Sequence, residues 1–217
     1  MAYNSLIHRI NNRIARACEY SGLVIDLGCG TAPYRGIVME KADRYIGVDW
    51  PKGFHGSENV NVMADVSAPL PFATGAADVV LLFQTLEHLK DPRSCLAESR
   101  RVLKPSGRLY VTVPFMWHVH EAPHDYFRYT RYGLQHLLVT AGFGSIEIHE
   151  TTGFWQTLVL KLNYHTFRWT RGWLRPLLNP FWSLGQWLAP LLDRYDPRPD
   201  ETASYYASAA PDECWRE

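Results

Sequence analysis

The sequence predicts an α/β protein built on an open, mostly parallel sheet. Short apolar runs, which indicate buried strands, alternate along the chain with segments of helical periodicity. The first run, residues 23–25, leads through Asp26 into a turn with glycines at positions 28 and 30. A turn of this kind between a strand and a helix is the nucleotide-binding element of open α/β sheets. Acidic residues also end the next two predicted strands, at the edge of the sheet where these folds bind ligands.

The predicted elements follow one another at the spacing of β-α-β units, which implies right-handed crossovers between parallel strands. In chain order we expect a helix over 3–20, a strand over 23–25, a helix over 33–42, and strands over 44–49, 60–65 and 77–83. A helix over 93–103 follows, which a break at residues 105–107 terminates, and then a strand over 108–113. The run at 77–83 is the most apolar of these strands, so we expect it to be buried on both faces.

Composition narrows the class of protein. The 217 residues include 22 basic and 22 acidic side chains, and this balance argues against a general nucleic-acid binder. A chain that is 47% hydrophobic and 20% charged is typical of a globular domain. The cysteines have no Cys-x-x-Cys spacing and no signal peptide precedes them, so we expect reduced thiols and a cytoplasmic protein. They are Cys18, Cys29, Cys95 and Cys214.

The glycine turn does not fit a dinucleotide site. That fingerprint needs a third glycine three residues after the second, and Pro33 occupies this position. Asp26 would repel an anionic pyrophosphate and instead favours a ligand with a cationic head. Gly-x-Gly alone is also compatible with an ordinary strand-to-helix turn, so the ligand has to be inferred from other residues.

The acids at the strand ends suit a nucleoside. Asp49 ends the second strand about 20 residues after the glycines, where a carboxylate can accept hydrogen bonds from both ribose hydroxyls. A turn cap before Pro51 is the alternative. Trp50 can stack on an adenine ring, and Asp65, at the end of the third strand, can accept a hydrogen bond from the adenine amino group.

Four segments together resemble the class I S-adenosylmethionine-dependent methyltransferases, of the methyltransferase type 11 group. They are Asp-Leu-Gly-Cys-Gly at 26–30, Asp49, Ala-Asp at 64–65, and Gln-Thr-Leu-Glu-His-Leu-Lys-Asp-Pro at 84–92. The resemblance covers residues 20–150 and implies methyltransferase activity with S-adenosyl-L-methionine as cofactor. The residues that it implies for cofactor binding are Asp26, Gly28, Gly30, Asp49, Trp50, Asp65, Val66 and Gln84.

The resemblance also implies a seven-stranded Rossmann-like sheet with helices on both faces and an antiparallel last strand. Residues 145–149 supply a sixth strand, and residues 202–209, although polar, are the candidate seventh. We therefore divide the chain into a cofactor-binding core at 1–150, an aromatic-rich helical insertion at 151–201, and a last strand with its tail at 202–217.

Residues 114–130 are rich in histidine, tyrosine and carboxylates, and three interpretations stay open: a general base, a divalent metal site, or an ordered lid. Our preferred base is His124 with Asp125 orienting or charging its imidazole, because the pKa of histidine lies near neutrality. His88, after the fourth strand, is the second candidate. We assign no metal ligands, since the spacing matches no recognised pattern. Expected substrate-binding residues are His120, Glu121, Tyr126 and Arg128.

Residues 123–130 resemble a segment of methyltransferases associated with bacterial cell-surface polysaccharide synthesis. This likeness implies a sugar hydroxyl or a lipid-linked glycan as methyl acceptor. The leading hypothesis is therefore O-methylation of a sugar or other hydroxyl acceptor in glycan or small-molecule biosynthesis. Alternatives are methylation of a membrane-associated isoprenoid or lipid-linked acceptor, and a protein that binds S-adenosylmethionine without chemistry.

Residues 154–192 combine tryptophans with arginines and contain no acid. A transmembrane span is disfavoured because the uncharged part is short and is interrupted by Pro180 and Pro190. Tryptophan beside arginine suits the headgroup region of a membrane, so one interpretation is peripheral contact with the inner face of the membrane. The other is burial by protein, in a helical subdomain or a homodimer.

Overall fold

The computed structural model of the chain describes residues 2–50, 58–170 and 172–212. Within these ranges, seven strands form one sheet. The strands are β1 Leu23–Leu27, β2 Arg44–Asp49, β3 Val62–Met63, β4 Ala77–Phe83, β5 Leu103–Pro114, β6 Phe143–Glu150 and β7 Ser204–Pro211. Their order is β3-β2-β1-β4-β5-β7-β6. The pairs among β1 to β5 are parallel, and β7 is antiparallel to both of its neighbours, so the predicted mostly parallel sheet with an antiparallel last strand is confirmed.

The helices are α1 Ser5–Ala17, α2 Arg35–Val38, α3 Pro92–Val102, α4 Arg131–Thr140, α5 Phe154–Trp169 and α6 Arg175–Tyr195. Local chemistry sets where two of them begin. The Asp91 carboxylate accepts hydrogen bonds from the amides of Arg93 and Ser94, and Pro92 occupies the first turn of α3. The Thr130 hydroxyl accepts a hydrogen bond from the Gly133 amide and caps α4 in the same way.

Alternating side chains of β4 bury both faces of the sheet. Val80 and Leu82 belong to a cluster with Leu96 of α3 and Leu134 of α4. Val79 and Leu81 face the other way, into a cluster that also contains residues at the end of α1 and in α2. The expected helices on both faces are therefore present, and chain order reverses between β1 and β4. Open α/β sheets bind ligands at such a point, outside the carboxyl ends of the strands.

Several element bounds differ from the sequence-based expectation. The helix expected over 33–42 is only Arg35–Val38, and the strand expected over 60–65 is only Val62–Met63. The helix expected over 93–103 is Pro92–Val102, within one residue at each end. The break expected at residues 105–107 is not a loop, because residue 103 already pairs with Ala77 of β4. The register between β4 and β5 then shifts, so the turn-forming residues 105–107 lie within an irregular strand rather than in a loop.

The aromatic segment forms α5 and α6, which confirms a helical insertion before the last strand. Leu160 of α5 is buried with Leu6 and Ile10 of α1. The side chain of Gln186 on α6 accepts hydrogen bonds from the Leu6 amide at 2.6 Å and the Ser5 hydroxyl at 3.0 Å. Among the described helices, none combines the length and apolar character that a bilayer crossing requires. The insertion thus packs on the first helix of the chain.

Three of the four cysteines lie in the described part of the chain. Cys18, Cys29 and Cys95 are buried free thiols, as expected for reduced cysteines. Cys214 and the rest of the tail, 213–217, lie outside the described residues, as does Pro51. The division into units at 1–150, 151–201 and 202–217 stays a prediction.

Candidate active site

The glycine turn is held against the ends of β2 and β4. Gly28 has φ +75°, and a Cβ at this position would lie 2.4 Å from Cγ2 of Thr85, so only glycine lets the turn approach the end of β4 this closely. The Gly28 amide donates a hydrogen bond to the Val48 carbonyl at 2.8 Å. The Gly30 amide donates one to Oδ2 of Asp49 at 2.6 Å. Packing therefore fixes the turn over the carboxyl end of the sheet.

A cavity of about 700 Å³ opens beside this turn. All eight residues expected to bind the cofactor line it, together with five of the residues expected in catalysis or substrate binding. These are Asp26, Gly28, Gly30, Asp49, Trp50, Asp65, Val66, Gln84, His88, His120, Glu121, His124 and Tyr126. Asp125 and Arg128 are not part of the lining. The structure thus brings the strand ends and the 114–130 segment to one space, while the roles of the residues stay predictions.

Asp26 is a buried carboxylate in the wall of this cavity. It is 2% exposed, and Oδ2 accepts a hydrogen bond from the Tyr45 hydroxyl at 2.6 Å. Burial raises the pKa of Asp26 to about 6, and the hydrogen bond from Tyr45 opposes this shift. A carboxylate taken out of water is stabilised by a cation next to it. The surroundings of Asp26 therefore suit a cationic group better than an anionic pyrophosphate, while its role in cofactor binding stays a prediction.

The acids that follow β2 and β3 lie on the same cavity. Oδ1 of Asp49 accepts a hydrogen bond from the Trp50 amide at 2.6 Å, and Oδ1 of Asp65 accepts one from the Ser67 amide at 2.8 Å. Trp50 is 44% exposed at the cavity edge, and its ring contacts that of His124. Backbone amides thus orient both carboxylates, each of which keeps lone pairs for a ligand.

Gln84 has a left-handed backbone conformation, with φ +56°, at the carboxyl end of β4. Its amide donates hydrogen bonds to the Thr112 carbonyl at 2.9 Å and to the Thr112 hydroxyl at 3.1 Å. The Thr85 hydroxyl donates one to the Leu27 carbonyl at 3.0 Å. A non-glycine residue in this conformation costs on the order of 1 kcal/mol or more and is often found at functional sites. Contacts with β1 and β5 hold Gln84 in the cavity wall.

The partner of Asp125 differs from the one we expected. Its two carboxylate oxygens each accept a hydrogen bond from Arg128 at 2.6 Å, and Oδ2 also accepts one from the His120 amide at 2.8 Å. The Arg128 side chain holds the pKa of Asp125 down at about 2. His124 instead places Nδ1 3.1 Å from the Tyr126 hydroxyl. The pairing of Asp125 with His124 is therefore wrong.

Asp125 and Arg128 act as a brace inside the 114–130 segment. Arg128 also donates hydrogen bonds to the carbonyls of Trp117 at 3.2 Å and His118 at 2.7 Å. The charge pair is largely shielded from solvent, since the Asp125 side chain is 1% exposed. This geometry orders the segment and leaves the histidines, not Asp125, at the cavity.

The segment is bound to the short helix Leu86–His88 that follows β4. The Tyr126 amide donates a hydrogen bond to the Glu87 carbonyl at 2.8 Å, and the Tyr129 hydroxyl donates one to the Leu86 carbonyl at 2.9 Å. His88 Nδ1 lies 2.6 Å from the His124 carbonyl. A carbonyl only accepts, so Nδ1 of His88 carries the proton and Nε2 carries the lone pair.

Glu87 is a site residue that sequence reasoning missed. Its side chain is fully buried, and neither carboxylate oxygen has a hydrogen-bond partner among the described residues. Oε1 lies 3.8 Å from Nε2 of His88 and 4.0 Å from Nε2 of His120. Burial raises the pKa of Glu87 to about 8 and lowers that of His120. The position next to His88 after a buried strand was the available signal, but only the fold shows its burial.

Comparisons with known proteins find methyltransferases among the proteins similar to this chain. A family model described as a methyltransferase domain matches residues 25–111. The chain is 30% identical over 110 residues to a probable S-adenosylmethionine-dependent methyltransferase of Mycolicibacterium smegmatis, covering 48% of this chain and 42% of the relative. It is 32% identical over 110 residues to one of Mycobacterium tuberculosis, covering 48% and 40%. The chain thus spans less than half the length of these curated relatives.

Solved structures share the fold. The [4+2]-cyclase SpnF aligns with a TM-score of 0.62 at 18% identity, covering 94% of this chain and 81% of that one. A Haloferax volcanii protein in complex with the Trm112 methyltransferase activator aligns with a TM-score of 0.62 at 19% sequence identity. The alignment covers 97% of this chain and 92% of that one. A Haemonchus contortus phosphoethanolamine N-methyltransferase in complex with S-adenosyl-L-methionine aligns with a TM-score of 0.60 at 15% sequence identity. The alignment covers 98% of this chain and 56% of that one. Over residues 25–111 the chain matches a methyltransferase-domain model, the relatives are probable S-adenosylmethionine-dependent methyltransferases, and the solved structures share the fold. Together these similarities support a class I S-adenosylmethionine-dependent methyltransferase with S-adenosylmethionine as cofactor.

Proposed function

We propose that the protein transfers the methyl group of S-adenosylmethionine to a hydroxyl oxygen of a sugar or another small acceptor. The observation that carries this proposal is the shared cavity of about 700 Å³, which is lined both by the strand-end acids and by histidines of the 114–130 segment. Its volume is within the range of sites that bind small-molecule ligands. Acceptor and cofactor can therefore meet in one space.

The strand ends hold the cofactor in this proposal. Asp26 binds its amino group, Asp49 its ribose hydroxyls, and Asp65 with Trp50 its adenine. The absence of a side chain at Gly28 lets the ligand lie against the main chain. When bound, S-adenosylmethionine supplies an electrophilic methyl group on a sulfonium. The residues of this chain supply position, since aligning the acceptor with that methyl group provides much of the rate.

The acceptor hydroxyl has to lose its proton as the new bond to carbon forms. His124 takes this proton in our proposal, because its imidazole lines the cavity beside Trp50 and histidine is the side chain that most often acts as a general base. His88 is the second candidate, since its Nε2 carries a lone pair. Asp125 has no part in the proton transfer, because its carboxylate binds Arg128.

Cofactor binding is tested first. Isothermal titration calorimetry should show S-adenosylmethionine binding and no NAD binding. The Asp49→Ala variant lacks the carboxylate that we propose contacts the ribose. Its affinity for S-adenosylmethionine should be weaker by at least about tenfold, a loss of about 1.4 kcal/mol of binding free energy. Asp43→Ala is the matched control, because Asp43 is exposed at the opposite end of β2. Equal affinity of the Asp49 and Asp43 variants would reject the ribose contact.

Methyl transfer is tested with methyl-labelled cofactor and a panel of free sugars, nucleotide sugars and polyprenyl-linked glycans. His124→Gln should slow transfer to an accepted hydroxyl by about 10²-fold while cofactor affinity changes less than twofold. If His124→Gln leaves the rate of transfer unchanged, His124 is not the base. Cofactor binding without transfer to any hydroxyl compound would overturn the proposal in favour of a binding protein or another reaction.

A membrane-associated acceptor is favoured by one specific observation. The side of α6 opposite its buried residues exposes an apolar stripe at helical spacing: Leu177, Phe181, Leu184, Leu188 and Leu191. Trp173 and Trp187 lie nearby with 72% and 66% exposure. Contiguous exposed apolar residues mark contact surfaces, and tryptophan with neighbouring arginine suits lipid headgroups. We infer that this stripe contacts a membrane that holds a lipid-linked acceptor.

Sedimentation with anionic liposomes tests this inference. The wild-type protein should pellet with the vesicles, and the variant Trp173→Ser/Phe181→Ser/Trp187→Ser should stay in the supernatant. The control variant replaces the exposed Tyr132 and Val139 of α4, on another side of the molecule, by serine. If the wild-type protein does not pellet and sediments as a dimer that the triple variant lacks, the stripe is a homodimer interface.

A further inference from the structure

Glu87 has a buried carboxylate without a hydrogen bond. The residue is completely shielded from solvent, and both side-chain oxygens lack hydrogen-bond partners among the described residues. A buried carboxylate is stable only when it is paired, neutralised or bound to a metal. The groups nearest to Oε1 are two imidazoles, at 3.8 Å and 4.0 Å. A ligand between Glu87 and these rings would satisfy the carboxylate.

Both imidazoles are oriented as metal ligands usually are. A histidine that binds a metal through one ring nitrogen donates the other N–H to a carbonyl or a carboxylate. Nδ1 of His88 donates to the His124 carbonyl at 2.6 Å. Nδ1 of His120 lies 3.3 Å from the His118 carbonyl and 3.4 Å from Asp125 Oδ2, which are acceptors, and 3.5 Å from the donor Nη2 of Arg128. The two nearer acceptors favour a proton on Nδ1, so the lone pair of each neutral ring lies on Nε2, within 4.0 Å of Glu87 Oε1.

The donor atoms lie close enough together for one ion. One ligand atom each from Glu87, His88 and His120 falls within 4.8 Å of the others. Two donors on one tetrahedral zinc ion lie about 3.4 Å apart. The two distances to Glu87 Oε1 therefore have to shorten by roughly half an ångström, and the distance between the two histidine donors by at most about 1.4 Å. Glu121 Oε2, 3.8 Å from Nε2 of His88, is within reach as a fourth ligand.

We propose that Glu87, His88 and His120 form a binding site for a divalent transition-metal ion in the wall of the cavity. Two imidazoles and one carboxylate suit Zn²⁺, Co²⁺, Mn²⁺ or Fe²⁺ better than Mg²⁺ or Ca²⁺, which prefer oxygen ligands. His88 and His120 line the cavity, so an ion that they hold would lie beside the space that an acceptor would occupy.

An ion at this place would act on the acceptor. A bound divalent metal polarises an oxygen ligand and lowers the pKa of a coordinated hydroxyl, and His124 would then take the proton. This consequence rests on the proposed O-methylation, whereas metal binding by the three residues does not. The two are therefore tested separately.

Metal binding is measured on the whole protein after treatment with a chelator, without cofactor or acceptor. Titration with Co²⁺ should show one equivalent per chain, with visible bands of nitrogen and oxygen ligation and no intense near-ultraviolet thiolate band. Zn²⁺ should displace the Co²⁺. Adding Zn²⁺ should also raise the Tm, because the ion binds the folded state.

Variants decide whether these residues are the ligands. Replacing a residue that contacts a metal ligand, but not the metal itself, typically lowers metal affinity 10- to 100-fold. Glu87→Gln and His120→Ala should each weaken Co²⁺ affinity by more than this. His149→Ala is the matched control, because His149 is an exposed histidine on β6. If Glu87→Gln does not fold, His120→Ala carries the test, since the His120 side chain is partly exposed.

No Co²⁺ binding by the wild-type protein would overturn the proposal, and so would equal affinity in the His120 and His149 variants. A protein that binds Co²⁺ through these residues but methylates no hydroxyl would refute the proposed function and leave the metal site standing.

Discussion

At the scale of single residues, Asp26 shows how the site is prepared for a cation. The residue is buried with one hydrogen bond from Tyr45, and burial raises its pKa to about 6. In the free protein the ionised carboxylate is therefore destabilised near neutral pH. A cationic amino group placed beside it relieves this cost, so the charge of the cofactor and the burial of the acid belong together.

The pH dependence of cofactor affinity follows from this pKa. Lowering the pH from 7 to 5 protonates Asp26 and removes the charge that binds the amino group, so affinity should fall about tenfold. Asp26→Asn should bind weakly at both pH values and lose this dependence. Calorimetric titrations at pH 5, 6 and 7 measure the effect. Parallel profiles for wild type and variant would assign the titration to another group.

The same ionisation affects stability with a defined sign. Because the pKa of Asp26 is higher in the folded than in the unfolded protein, its contribution to stability is lost as the pH rises through about 6. At pH 7.5, Asp26→Asn should therefore raise the Tm of the cofactor-free protein while it weakens cofactor affinity. Thermal unfolding at pH 7.5 measures this, and a lower Tm would show that the Tyr45 contact needs the carboxylate.

At the scale of elements, the 114–130 segment is a loop ordered by charge rather than by a hydrophobic core. Asp125 and Arg128 form two hydrogen bonds at 2.6 Å, and Arg128 joins two backbone carbonyls of the same segment. Tyr126 and Tyr129 tie the loop to the short helix after β4. The brace therefore sets where the cavity histidines lie.

Breaking the brace should loosen the loop selectively. Asp125→Asn leaves Arg128 without its counter-charge, and loss of one partner of a shielded pair costs about 3 kcal/mol. Backbone amides of residues 116–128 should then exchange hydrogen at least tenfold faster, while those of β4 and β5 keep their rates. Glu147→Gln is the control, as an exposed acid on β6. Unchanged exchange in the loop would show that the tyrosine contacts alone hold it.

At the scale of the whole molecule, the first helix of the chain and the two helices of the insertion form one helical layer. Leu160 of α5 is buried against Leu6 and Ile10 of α1. Gln186 of α6 accepts a hydrogen bond from the Leu6 amide and donates one to the Trp182 carbonyl at 3.0 Å. The helical insertion thus covers one side of the core and presents its opposite, apolar side outward.

Gln186 should therefore contribute to global stability. Gln186→Ala leaves the Leu6 amide without this acceptor in a buried position, and such a loss costs about 1–3 kcal/mol. Urea unfolding should show a lower midpoint with an unchanged m-value. Gln135→Ala on the exposed side of α4 should unfold like the wild type. Equal midpoints for the two variants would mean that apolar packing alone joins α1 to α6.

Sequence patterns predict the strands and helices whose bounds depend only on residues that are neighbours in the sequence. The strands Arg44–Asp49 and Ala77–Phe83 have the bounds that their sequences indicate, because apolar runs with clear breaks record burial directly. The break expected at residues 105–107 is part of β5 instead, because residue 103 pairs with Ala77, and such pairing involves a distant part of the chain. The insertion of β7 between β5 and β6 is non-local in the same way.

In the candidate site, too, some features follow from neighbouring residues and others from contacts between distant parts of the chain. The sequence by itself determined that Asp26, Asp49 and Asp65 lie at or near the carboxyl ends of successive strands, and parallel strands bring these ends to one edge. Only the tertiary structure decided that Asp125 pairs with Arg128 rather than His124, and that Glu87 lies buried beneath His88 and His120. The physical reason is that burial and ion pairing depend on how the 114–130 loop folds over β4, and no local pattern encodes this packing.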